Sequence, residues 1–191
     1  MKTNCICVIP ARGGSTRIPL KNIRMFHGKP ILAYSIQTAI DAQIFDRIIV
    51  STDDVMIAQV AKLYGAEVIM RNSAMSQNEI GTQEVMKDVL KDIECLYACC
   101  LYPCAPMLSP KTLRLARSMV VSYPYIVPVA TWLQDPGQFY FGKRTMFTNG
   151  VSLLGNTQFI RIPKETECDI NTQEDWKLAE EMYVLLHKEQ K

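Results

Sequence analysis

Residues 12–24, RGGSTRIPLKNIR, carry four positive charges, two glycines and no carboxylate. Gly13 and Gly14 let the backbone approach a ligand without Cβ clashes, and Ser15 and Thr16 add hydroxyl donors. Arg12, Arg17 and Lys21 add positive charge. Backbone amides together with guanidinium and ammonium groups suit a polyphosphate, so these residue types point to a phosphate cradle. Neither Gly-x-x-x-x-Gly-Lys-Ser/Thr nor Gly-x-Gly-x-x-Gly is present, which takes support from ATPase and dinucleotide readings. A solvated basic loop is the competing reading of the same residues.

Such a cradle must be positioned by a strand. In open α/β sheets, ligands bind beyond the carboxyl ends of strands, near the point where strand order reverses. NCICVIPA (4–11) predicts a buried strand feeding the loop. The pattern then predicts a helix over 30–42 with Pro30 at its first position, and a strand over 47–51. A helix over 54–64 follows, capped by Thr52 or Asp53 and ended by Gly65 in a left-handed conformation, with Asp53 and Asp54 read as capping residues. Further strands are predicted at 67–70, 96–102, 125–131, 138–142, 145–148 and 158–162. Further helices are predicted at 82–94, at 109–121 behind Ser109-Pro110, and at 172–187 behind the capping-box variant Thr172-x-x-Asp175. Trp176 belongs on the inner face of the last helix, and Met56, Met86, Met107, Met119 and Met182 read as core filler. Strands alternating with helices imply an α/β fold with βαβ units and a mostly parallel sheet.

Composition limits the alternatives. The 191 residues are 48% hydrophobic and 21% charged, as in one ordinary globular domain. A net charge of +2 argues against a nucleic-acid or membrane partner, so the loop's charge is local. No apolar run approaches the ~20 residues that span a bilayer. Asn4, Pro10 and Arg12 interrupt the N-terminal apolar patch, so no signal peptide is expected. The seven cysteines are odd in number and contain no CxxC, which suggests buried thiols in a reducing cytoplasm. The histidines, His27 and His187, sit beside no cysteine cluster, so zinc is not expected.

The loop IPARGGSTRIPLKN (9–22) resembles the signature of the CMP-sialic acid synthetase (acylneuraminate cytidylyltransferase) family. FDRIIVSTDD (45–54), IAQVAKLYGAEV (57–68) and DINTQEDWKLAE (169–180) agree with that family in order. LYPCAPMLSP (101–110) and DPGQFYFGK (135–143) look most like its pseudaminic acid branch. The resemblance implies a Rossmann-like nucleotidyltransferase fold, a three-layer αβα arrangement with a mostly parallel, mixed sheet. It implies one domain over residues 1–191 and a cytoplasmic enzyme. The implied reaction joins CTP to the anomeric hydroxyl of a nine-carbon sugar acid, pseudaminic or sialic acid-like, with Mg²⁺ as cofactor and pyrophosphate as leaving group. A homodimer is compatible with it.

By the same resemblance, Arg12, Lys21 and Asp169 are the catalytic residues. Nucleotide contacts fall to Ala11, Arg12, Gly13, Gly14, Ser15, Arg17, Lys21, Asn22, Arg71 and Thr82. The sugar falls to Tyr102, Gln138 and Tyr140, and the metal to Asp169 and Asn171. The chain departs from the family pattern in three places. Thr16 and Leu20 stand where basic residues are common, and Asn171 replaces the second Asp of an Asp-Ile-Asp pair. The acceptor and dimerisation segment is shortened near 131–135. These departures keep two alternatives open: a nucleotidyltransferase for another sugar or nucleotide, and a catalytically impaired nucleotide-binding paralogue.

Overall fold

A computed structural model describes residues 3–72, 75, 80–122, 127–128, 137–151 and 158–188. β1 (Thr3–Pro10) is the centre of the sheet, and Cys5 to Ile9 are each 1% exposed or less. Strand alternation sends Cys5, Cys7 and Ile9 to one face and Ile6 and Val8 to the other. The first face packs against α1 (Ile31–Ala42), α2 (Val55–Leu63) and α4 (Pro110–Ser122), through Leu32, Ile36, Ile57, Ala61, Leu113 and Ala116. The second packs against α3 (Thr82–Leu90) and α5 (Arg144–Thr148), through Val85, Met86, Val89 and Phe147. Helices therefore cover both faces, as the resemblance implied.

β4 (Arg47–Thr52) pairs parallel with β1 on one side and with β5 (Glu67–Met70) on the other. β6 (Cys95–Leu101) pairs parallel with β1 on its opposite edge. β8 (Phe139–Lys143) pairs antiparallel with β6, and β7 (Val127–Pro128) antiparallel with β8. The order β5-β4-β1-β6-β8-β7 makes a mostly parallel, mixed sheet. Strand order reverses between β1 and β6, so the loops leaving their carboxyl ends flank the expected ligand crevice.

After β1 the chain forms a 3-10 turn (Lys21–Ile23) and a small antiparallel pair, β2 (Met25–Phe26) and β3 (Lys29–Pro30). His27 (φ 40°) and Gly28 (φ 92°) form the two-residue turn between them, where both positions need positive φ. The C-terminal α6 (Gln173–Lys188) packs here, burying Trp176 and Ala179 against Ile18, Phe26, Ile31 and Tyr34. Cys104, Met107, Cys168 and Ile170 join the same cluster. No helix among the described residues is long and apolar enough to cross a membrane.

Several expectations need correction. Asp54, rather than Thr52 or Asp53, caps α2, accepting from the amides of Met56 and Ile57. Pro30 stands one position before α1, with extended ψ. α3 ends at Leu90, short of 94. Residues 145–148 belong to a helix: the Arg144 guanidinium donates to the carbonyls of Leu90 and Ile93, and Phe147 fills the core. Tertiary contacts override local strand propensity there. Residues 158–162 form only an isolated bridge at Ile160. Met56 is 54% exposed on the outer face of α2, and so fills no core. Apart from β7, the expected strand at 125–131 lies outside the described residues, as does the shortened segment at 131–135. Gly65 (φ 91°) follows α2 as expected.

Candidate active site

A cleft of about 320 Å³ opens where strand order reverses. Pro10 and Arg12 enter it from the end of β1, and Tyr102, Pro103 and Cys104 from the end of β6. Arg71 follows β5, and Gly81 and Thr82 begin α3. Asp169, Ile170 and Asn171 come from the segment before α6. Residues some 150 positions apart thus share one cavity.

Three hydrogen bonds join the basic loop to that distant segment. Lys21 Nζ donates to the Ile170 carbonyl at 2.8 Å, Arg17 Nη2 to Asn171 Oδ1 at 3.0 Å, and Arg24 Nη1 to Gln173 Oε1 at 2.6 Å. Arg24 also lies over the Trp176 ring, 4.4 Å from its centroid. The loop is fixed from inside as well. Asn22, nearly buried, donates through Nδ2 to the Arg12 carbonyl at 2.8 Å, and its Oδ1 accepts from the Cys104 thiol. Burial pushes the Cys104 thiol up to about 12, which removes it as a nucleophile near neutral pH.

The loop's first turn is held by the carboxylate of Asp53, which sequence reasoning assigned to a helix cap, and lies close against Asp54, which does form that cap. Gly13 N–H donates to Asp53 Oδ1 at 2.8 Å. A Cβ on Gly13 would stand 2.7 Å from Asp54 Oδ2, so only glycine fits against the α2 cap. The Gly13 amide is therefore turned into the protein. The Arg71 guanidinium bonds Ser51 through Nε to its hydroxyl (3.0 Å) and through Nη2 to its carbonyl (2.8 Å). Burial draws the Arg71 pKa down, Asp53 opposes that shift, and neighbouring Arg12 adds to it. An arginine remains charged through such a shift, so two guanidiniums and a lysine ammonium face the same space, with Arg17 at its rim.

Of the predicted nucleotide contacts, Arg12, Ser15, Arg17, Lys21 and Asn22 line the cleft, as do Arg71 and Thr82. Ala11, Gly13 and Gly14 do not; Ala11 is buried, with its amide on the Ser51 carbonyl. Tyr102 lines the cleft, and its hydroxyl is 3.1 Å from Thr82 Oγ1. Gln138 and Tyr140 are buried off the cleft walls. Gln138 donates through Nε2 to the Thr166 carbonyl, and its backbone carbonyl accepts from Tyr102 N–H at 2.8 Å.

The predicted metal residues, Asp169 and Asn171, both reach the cleft. Gly137 (φ 59°), a position sequence reasoning missed, lets the chain pass beside the Asp169 carboxylate; a Cβ there would stand 3.1 Å from Asp169 Oδ1. That carboxylate suits a hard cation that keeps most of its ligands as phosphate oxygens and water. Asn171 suits it less, because Arg17 already occupies Oδ1. Among the described residues no three His, Cys, Asp or Glu side chains converge on a metal position.

Asp175 makes the expected reciprocal cap. Its Oδ2 accepts from the amides of Asn171 (2.9 Å) and Thr172 (2.7 Å), and its own amide donates to Thr172 Oγ1. The Asn171 amide bond leads in holding its pKa below the ordinary 3.8, although some desolvation opposes this. A depressed carboxylate contributes stability above its unfolded pKa and loses it as pH falls through the folded pKa. Asp175→Asn is therefore expected to be less stable than the parent at neutral pH, with the gap closing as pH falls below 3.8. Urea unfolding of both proteins across pH checks this; a gap independent of pH would contradict it.

The comparisons with known proteins agree with this architecture. The chain is 29% identical to the pseudaminic acid cytidylyltransferase of Campylobacter jejuni, over 96% of this chain and 97% of the relative. That alignment spans 226 positions, more than the chain's 191 residues, so the relative has segments without a counterpart here. It is 28% identical to N-acylneuraminate cytidylyltransferase A of Danio rerio, over 91% of this chain but 49% of that longer protein. Its fold is similar to that of a CMP:2-keto-3-deoxy-manno-octonic acid synthetase solved with CTP, with a TM-score of 0.76 and 15% identity over 96% and 99% of the two chains. A manganese complex of the Mycobacterium tuberculosis protein Rv0371c is similar at a TM-score of 0.70 and 19% identity, over 94% and 99%. The cytidylyltransferase family pattern matches residues 6–131, well over half of the chain, and the chain belongs to the cytidylyltransferase family.

Proposed function

We propose that this cleft transfers CMP from CTP to the anomeric hydroxyl of a nonulosonic acid of the pseudaminic or sialic acid type, releasing pyrophosphate. One observation carries the reading: the basic loop and the Asp169 segment, far apart in sequence, wall the same cleft, with Lys21 bonded to the Ile170 carbonyl. The names of the relatives supply the substrate class.

The chain's own residues have definable tasks in this reaction. Arg12, Lys21 and Arg71 offset triphosphate charge, so an anionic acceptor meets less repulsion, and they favour the charge that grows on departing pyrophosphate. Asn22 and Asp53 hold the loop so that this field is set before substrate arrives. Asp169 is the protein's anionic ligand for Mg²⁺, which would polarise phosphoryl oxygens when bound. Tyr102 lines the cleft as the candidate sugar contact, its backbone N–H held by the Gln138 backbone carbonyl and its hydroxyl beside Thr82. A shortened acceptor segment near 131–135 goes with this reading and favours a small or differently gripped sugar.

A pyrophosphate-release assay with CTP, Mg²⁺ and a panel of nonulosonic acids tests the proposal. Turnover with at least one acid is the expected result. Protein with a cooperative melt and no turnover across the panel overturns it.

A further inference from the structure

We infer that the cleft holds a nucleoside triphosphate without help from a divalent metal, the Arg17–Asn171 contact supplying the charge in its place. The inference rests on the triphosphate reading above and concerns binding alone; the transfer step keeps its metal.

Asn171 Oδ1 accepts from Arg17 Nη2 at 3.0 Å. A neutral amide orients the guanidinium without cancelling its charge, whereas an aspartate there would form an ion pair and spend that charge inside the protein. The same oxygen, with a cation already on it, is a poor ligand for a second cation. The next carboxylate along, Asp175, is committed to the amides of Asn171 and Thr172. Lys21 likewise rests on a neutral acceptor, the Ile170 carbonyl, and keeps its net charge. Four cationic side chains, Arg12, Arg17, Lys21 and Arg71, therefore line the cleft, against two carboxylates: Asp169 in its described walls and Asp53 behind Arg71. That surplus of positive charge is what a triphosphate otherwise obtains from a metal.

Isothermal titration of CTP into the full chain, in EDTA and in Mg²⁺, tests this. The parent is expected to bind CTP in EDTA within about tenfold of its affinity in Mg²⁺. Asn171→Asp is expected to lose at least about tenfold in EDTA and to recover in Mg²⁺. Arg17→Gln, at an exposed side chain whose removal leaves the core intact, is expected to lose a similar factor in EDTA. Binding in Mg²⁺ but not in EDTA, or an Asn171→Asp variant with unchanged metal-free affinity, overturns the inference and leaves the proposed reaction standing. No CTP binding in either buffer overturns both.

Discussion

Lys21→Ala is expected to lower kcat/KM for the proposed CMP transfer at least tenfold, a loss of about 1.4 kcal/mol or more of transition-state stabilisation. The ammonium lies in the cleft, 2.8 Å from the Ile170 carbonyl and one residue beyond Asp169 on the facing segment. In the proposed reaction it offsets phosphate charge, and it also ties the loop to the segment carrying the carboxylate. The first task would appear in the chemistry, because in the proposed reaction charge grows on the leaving pyrophosphate as the bond breaks. The second appears as stability, where one hydrogen bond contributes about 0.5–1.5 kcal/mol net. Steady-state kinetics beside thermal melts separate the two. Arg12→Ala shares the kinetic expectation, because its side chain lines the same wall, while the backbone carbonyl that accepts from Asn22 is kept. Near-normal kcat/KM in both variants would remove these residues from the mechanism.

The parts of the fold that were legible in the sequence are those governed by local rules. The capping pair Thr172/Asp175, the stop at Gly65 and the apolar β1 each follow from a few neighbouring residues, and each stands in the structure. The burial of Trp176 was legible in the same way. What escaped depends on contacts over long sequence separations. Asp53 lies 40 residues from the Gly13 amide it accepts from, and nothing local separates that role from a helix cap. Arg17 meets Asn171 across 154 residues, which converts an apparent weakening of a metal site into a placed guanidinium. Arg144 turns 144–148 into a helix by answering carbonyls at the end of α3, which a period-two pattern does not contain. Gln138 and Tyr140 illustrate a further limit. A motif locates a strand beside the site, but the pleat decides which side chains face the cleft, and these two face inward.

Trp176→Ala is expected to cost about 3–5 kcal/mol of stability, as removal of a large buried aromatic does. At roughly 2–4 °C of Tm for each kcal/mol in a chain of this size, a melt falls by about 6–20 °C. The indole is 1% exposed and packs edge-on to Phe26, their ring centroids 5.6 Å apart, with Arg24 over its face. Its cluster spans five separate pieces of chain: the basic loop at Ile18, the hairpin at Phe26, α1 at Ile31 and Tyr34, the loop after β6 at Cys104 and Met107, and Cys168 and Ile170 on either side of Asp169. Removing the ring therefore loosens the packing that presents Asp169 to the loop. Activity at a temperature where the variant is still folded should fall further than the folded fraction explains. Trp176→Phe separates this from a general stability loss. Among the described residues the indole Nε1 has no hydrogen-bond partner, so phenylalanine gives up no bond there and keeps most of the volume. Its expected cost is under about 1.5 kcal/mol, with near-parental kcat/KM. If Trp176→Ala at low temperature turned over like the parent, the α6 cluster would be a stabilising element only, and the three loop-to-segment hydrogen bonds alone would hold Asp169 in place.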